Sequence, residues 1–258
     1  MLIDYFERGA MLAGDRPCLI DGTTGRSYSY GQIRDLSLRV PNGLRSAGLG
    51  PGTNGAVLAS NDALAFASTL GIARSGTAWI PVNPRNSVGE NARNLARLDC
   101  EVLFYLSSFS EAVREIAAKA PKLRLLVCID RPDGDRPGLM DWASTCAPDE
   151  IEIPFDPDAI AAIQPTGGTT GEPKGVMLRH RSFEYCVASL MAAAPCEAPP
   201  VYVAAAPLTH AGGFFAHYIM ANGGTTVILP SPEPGAYLSA LEKWPATHTV
   251  VVPTILYA

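Results

Sequence analysis

No apolar run in the 258 residues approaches the roughly 20 that cross a bilayer as a helix, so no membrane span is expected. Lys and Arg number 20 against 25 Asp and Glu, for a formal charge of −5, and nothing gathers the basic residues into a cluster. Nucleic-acid binding rests on a basic face that neutralises phosphates, so neither nucleic acid nor an anionic membrane surface is an expected partner. The six cysteines, Cys18, Cys100, Cys128, Cys146, Cys186 and Cys196, lie far apart with no C-x-x-C pair, which suits neither a zinc site nor a disulfide framework. Several sit inside apolar stretches, where a thiol acts as a small hydrophobe. The start, Met1-Leu-Ile-Asp-Tyr-Phe-Glu-Arg8, lacks the basic head and apolar core of a secretory signal. These absences read as a cytoplasmic, reduced, soluble protein.

What is present is an ordinary globular composition, 47% hydrophobic and 17% charged, in a chain long enough for one large domain or two small ones. A short apolar run, a turn and a helix pattern recur along it. Strand-like runs fall at Ala56–Ser60, Ala78–Val82, Val102–Leu106 and Leu123–Ile129, and again at Ala159–Ile163, Val201–Ala205, Thr225–Leu229 and Thr249–Val252. Between them, Ser29 with Gln32 and Ser87 with Glu90 fit capping boxes, Asn61 is placed to cap a helix, and a further helix is expected over Phe183–Ala194. Pro41 should kink or end the first of these helices.

Strands alternating with helices of 10 to 15 residues imply parallel βαβ units whose sheets are covered by helices. The predicted fold is therefore α/β, with two stacked, mainly parallel sheets. The turn-rich stretch Arg131–Pro157, with room for a short helix near Met140–Ser144, marks the expected boundary: a first lobe over 1–157 and a second over 158–258. The ending Thr249-Val-Val-Val-Pro-Thr-Ile-Leu-Tyr-Ala258 runs from an apolar strand into an unfinished element, so a fragment of a longer protein is expected, its missing C-terminal part being a partner of this one.

The segment Ile163-Gln-Pro-Thr-Gly-Gly-Thr-Thr-Gly-Glu-Pro-Lys-Gly-Val-Met177 carries the chemistry. Gly167, Gly168 and Gly171 accept positive φ and have no Cβ, so successive N–H groups can converge on an anion. Thr166, Thr169 and Thr170 add hydroxyl donors, and Lys174 brings a point charge to a phosphate tail. A Walker A loop, Gly-x-x-x-x-Gly-Lys-Ser/Thr, is excluded because Pro173 precedes the lysine and Gly175 follows it. A glycine-rich hairpin with a solvated lysine would explain Pro173-Lys174-Gly175 but not the whole run.

The run Thr166-Gly-Gly-Thr-Thr-Gly-Glu-Pro-Lys-Gly175 resembles the signature phosphate loop of the adenylate-forming superfamily, which includes acyl-CoA synthetases, peptide-synthetase adenylation domains and beetle luciferases. Ser27-Tyr-Ser-Tyr-Gly-Gln-Ile33, Gly76-Thr-Ala-Trp-Ile-Pro-Val-Asn-Pro84 and Pro207-Leu-Thr-His-Ala-Gly-Gly213 resemble further segments of that family, in its order. The resemblance implies two steps: a carboxylate attacks the α-phosphate of ATP to give an acyl adenylate and pyrophosphate, and coenzyme A then displaces AMP. It implies ATP contacts at Thr166, Gly167, Gly168, Thr169, Thr170, Gly171 and Lys174, with Mg²⁺ held at Thr170 and Lys174 counted as catalytic.

By the same resemblance His210 is the pocket histidine beside the reacting carboxylate, and Ala211, Gly212, Gly213, Phe214 and Phe215 border the acyl group. Phe214 and Phe215 fit an apolar wall or the core equally on pattern. His180, His217 and His248 are read as capping or core residues. The family's Tyr-Gly-x-Thr-Glu segment, ribose aspartate, hinge and C-terminal catalytic lysine are not found before Ala258, so this chain is expected to be inactive by itself. The expected function is the ATP-binding part of an acyl-CoA synthetase for a fatty or aryl acid, with room for a homodimer. A non-catalytic nucleotide-binding or scaffolding protein and an amino-acid-activating adenylation domain are the alternatives.

Overall fold

The computed structural model describes residues 1–154, 156–166 and 174–251. In chain order its elements are α1 (Leu2–Ala13), β1 (Pro17–Asp21), β2 (Ser27–Ser29), α2 (Tyr30–Ser46), β3 (Asn54–Leu58), α3 (Ala63–Arg74), β4 (Ala78–Pro81), α4 (Val88–Arg97), β5 (Cys100–Tyr105), α5 (Ser110–Lys119), β6 (Leu125–Cys128), α6 (Leu139–Ser144), β7 (Ile160–Thr166), β8 (Lys174–Arg179), α7 (His180–Ala193), β9 (Val201–Ala204), α8 (Ala211–Ala221), β10 (Thr225–Ile228), α9 (Pro234–Lys243) and β11 (His248–Thr249). The predicted alternation of strand and helix is present, and no helix among the described residues is long and apolar enough to cross a membrane. Ser29 and Gln32 form the expected reciprocal box at the start of α2, with N–H to side-chain distances of 2.9 and 3.2 Å. Ser87 accepts from the Glu90 N–H at the start of α4.

Two expectations about helices are corrected. Pro41 does not end α2, which runs on to Ser46. Buried Leu36, Leu38, Val40 and Leu44 anchor both sides of the proline, and that much apolar burial exceeds the roughly 3 kcal/mol a helix-interior proline costs. Asn61 does not cap α3, because Asp62 Oδ1 takes the Ala65 N–H at 2.9 Å.

The chain forms two compact units, and the expected division after residue 157 does not coincide with them. The first comprises Met1–Arg34, Ser60–Phe66 and Arg181–Ala258. Its sheet runs β11-β9-β10-β1-β2, parallel except for β1 with β2. Ile20, Val203, Val227, Leu229 and Tyr237 fill its core. Gly9 lets α1 approach α8 closely, since a Cβ there would lie 1.8 Å from the Met220 carbonyl oxygen. The Tyr30 hydroxyl donates to the Gly224 carbonyl at 2.6 Å in the same unit.

The second unit comprises Asp35–Ala59 and Ala67–His180. Its sheet runs β6-β5-β3-β4-β7-β8, parallel except for the last pair, over a core that includes Leu58, Ile80, Leu103, Tyr105 and Ile116. Strands β7 and β8, expected to open the second lobe, thus extend the sheet begun by β3. Strand β1 joins β10 across most of the chain. Turn-forming residues mark where a chain leaves regular structure, but long-range strand pairing decides which strands share a sheet. Of the expected last strand Thr249–Val252, Thr249 pairs with β9, as does His248 just before it, and Val252 lies outside the described residues.

Candidate active site

The two described ends of the phosphate-loop motif, Thr166 and Lys174, pair across the antiparallel strands β7 and β8 of the second unit. Strand β7 is anchored by buried Ala161 and Ala162 and pairs with β4 through Ala162 and Trp79. Strand β8 returns beside it in the register Ile163–Met177, Pro165–Gly175 and Thr166–Lys174. The Thr166 hydroxyl donates to the Lys174 carbonyl at 3.1 Å, tying the ends of the two strands together. Both residues are exposed, so a hydroxyl and an ammonium stand at the mouth where the two strands part. Gly175 keeps the strands in register, since a Cβ there would come within 2.6 Å of Ile163 and 2.8 Å of Leu98. A strand, rather than a helix, follows the loop, which separates this hairpin from a Walker A arrangement. Gly167, Gly168, Thr169, Thr170 and Gly171 lie outside the described residues.

The His210 motif belongs to the first unit. After β9 the chain passes buried Ala205, Ala206 and Leu208, turns with the His210 N–H on the Pro207 carbonyl at 3.1 Å, and enters α8. His210 is the residue immediately before the helix, and both His210 and Ala211 are exposed. Gly212 and Gly213, expected to leave room for an acyl group, are buried against their own chain. A Cβ on Gly212 would lie 2.8 Å from the Ala206 oxygen, and one on Gly213 2.0 Å from the Leu208 oxygen. Their missing side chains make room for the preceding turn.

Phe214 and Phe215 diverge. Phe214 stacks on Phe183 of α7 with centroids 4.8 Å apart. Phe215 packs against Tyr202 at 5.1 Å, Tyr218 at 5.2 Å and His248 at 5.8 Å, which places it in an aromatic cluster beside β9. His217 is buried against the Phe66 ring, and desolvation pushes its imidazole down to about 4, so it is neutral at pH 7. The core reading of His217 holds. Burial likewise pushes the Cys100 thiol up to about 12, leaving it unreactive.

One residue at this site escaped the sequence reading. The Asn61 carboxamide donates to the Ala206 and Leu229 carbonyls at 3.0 and 3.2 Å and accepts from the Leu208 N–H at 3.0 Å. Its position before a helix signalled a cap, and no local pattern points to partners so far along the chain.

The AMP-binding enzyme family model matches residues 6–258. The chain belongs to that family. As a member it is 32% identical over 254 residues to 4-coumarate--CoA ligase 3 of Oryza sativa subsp. japonica, covering 94% of this chain and 44% of that protein. It is 30% identical over 236 residues to a feruloyl-CoA synthase of an Amycolatopsis species, covering 91% and 45% respectively. The fold matches that of a Mycobacterium tuberculosis fatty acyl CoA synthetase with a TM-score of 0.88 at 20% identity, over 99% of this chain and 50% of the other. This AMP-binding chain thus spans about half the length of the curated relatives it matches.

Proposed function

We propose that this chain supplies the ATP-binding part of an enzyme that joins a carboxylic acid to coenzyme A through an acyl adenylate. The observation that carries this reading is the hairpin that sets Thr166 and Lys174 opposite each other at the two ends of the Gly/Thr run. Pyrophosphate departs as charge builds on the β-phosphate. Fixed N–H groups, the threonine hydroxyls and Lys174 stabilise that charge more than they stabilise bound ATP, and Mg²⁺ held with Thr170 would share it. The ATP and coenzyme A this reaction draws on suit a cytoplasmic site.

The acid is an aryl or fatty acid without an α-amino group. No Asp or Glu occurs between Val201 and Leu229, so that stretch offers no carboxylate to offset a buried ammonium. Relatives named for 4-coumarate and ferulate favour the aryl side. His210 and Ala211, two of the exposed members of the motif, face the acid in this reading. The test is pyrophosphate release by the full-length protein with a panel of aryl, fatty and amino acids. Preference for an aryl or fatty acid is expected, and preference for an α-amino acid would overturn the assignment.

A further inference from the structure

Asn61 follows β3 and precedes α3, and its neighbour Asp62 already caps that helix, so the Asn61 carboxamide can serve elsewhere. All three of its bonds go to backbone. Nδ2 reaches the carbonyls of Ala206 and Leu229, which lie just past the ends of the adjacent parallel strands β9 and β10. Oδ1 takes the N–H of Leu208, two residues before His210. Ligands of open α/β sheets bind beyond the carboxyl ends of the strands, which is where this clasp sits. Leu208 is buried, so its N–H would be costly to leave without an acceptor. A Cβ on Gly213 would lie 2.0 Å from the Leu208 carbonyl oxygen, so that oxygen packs closely against the start of α8. Leu208 is therefore bonded at its N–H by Asn61 and closely packed at its carbonyl, two residues before His210.

We propose, resting on the acyl-activating reading above, that Asn61 is a positioning residue that sets the Pro207–His210 turn, and through it the placement of His210 against the acid. Only a carboxamide supplies two donors and an acceptor at once here. Asp at this position keeps the acceptor for Leu208 but turns a charge toward two carbonyl oxygens, and Ala removes all three bonds.

The test uses the full-length enzyme with Asn61→Asp and Asn61→Ala, followed by pyrophosphate release and by hydrogen exchange of the segment 205–213. Apparent KM for the acid should rise, or kcat/KM for the acid fall, on the order of tenfold or more, while KM for ATP stays within about twofold. Exchange at 206–210 should quicken with exchange in β9 and β10 unchanged. Equal losses toward acid and ATP would overturn the proposal, as would unaltered exchange at 206–210. So would global unfolding of both variants, since such a residue would be holding the unit rather than the turn. A wild-type protein that releases no pyrophosphate with any acid would defeat the functional reading instead, a result separable from the exchange measurement.

Discussion

Lys174 stands exposed across from Thr166, and among the described residues its ammonium makes no ion pair that would explain its place. Its worth is expected in phosphate binding. In the full-length protein Lys174→Ala should slow adenylate formation about thirtyfold, corresponding to about 2 kcal/mol for a charge-assisted contact, with the thermal midpoint nearly unchanged. Wild-type turnover in that variant would remove the lysine from the reaction. His217 makes the opposite kind of contribution. Desolvation lowers its folded value to about 4, whereas the unfolded imidazole titrates near 6.5. Above that unfolded value both states are neutral and nothing is lost. As pH falls from about 6.5 to about 4 the unfolded chain takes up the proton first, so stability declines by up to about 3 kcal/mol. His217→Phe should flatten the urea-unfolding midpoint against pH over that window, and an unchanged slope would place the titration elsewhere.

Helix α8, which no pattern in the sequence had marked, begins in a tightly packed turn. In its Ala211-Gly-Gly213 start the two glycines are buried against the carbonyls of residues 206–208. Gly213→Ala is accordingly predicted to destabilise the protein by about 2 kcal/mol or more, because its Cβ meets backbone that cannot rotate away. A midpoint in urea within error of wild type would show that the turn relaxes freely. Gly175 is crowded by side-chain atoms of Ile163 and Leu98 instead of backbone, so the same substitution there should be milder. Helix α2 carries the complementary lesson. Its capping box at Ser29 and Gln32 is written locally and forms as read. Its passage through Pro41 depends on packing that no local rule reports.

For the molecule as a whole, the chain spans 44% of a relative that shares its family. Closure by further parts expels water and fixes reactants for an effectively unimolecular attack. On the proposed acyl-activating function, residues 1–258 alone should therefore release little pyrophosphate with ATP, Mg²⁺ and any acid. Robust acyl-hydroxamate formation by the 258-residue chain would contradict this. The sequence by itself determined the α/β alternation, the capped starts of α2 and α4, and the strand that leads into the Gly/Thr run. Each is a short-range pattern of backbone freedom, periodicity or hydrogen-bonding type. Only the tertiary structure decided that β1 lies beside β10, that β7 and β8 extend the sheet of β3, and that Asn61 joins Ala206, Leu208 and Leu229. Periodicity records which face of an element is buried. The neighbour that covers it is settled by pairings between residues far apart in the chain, whose signal no single segment holds.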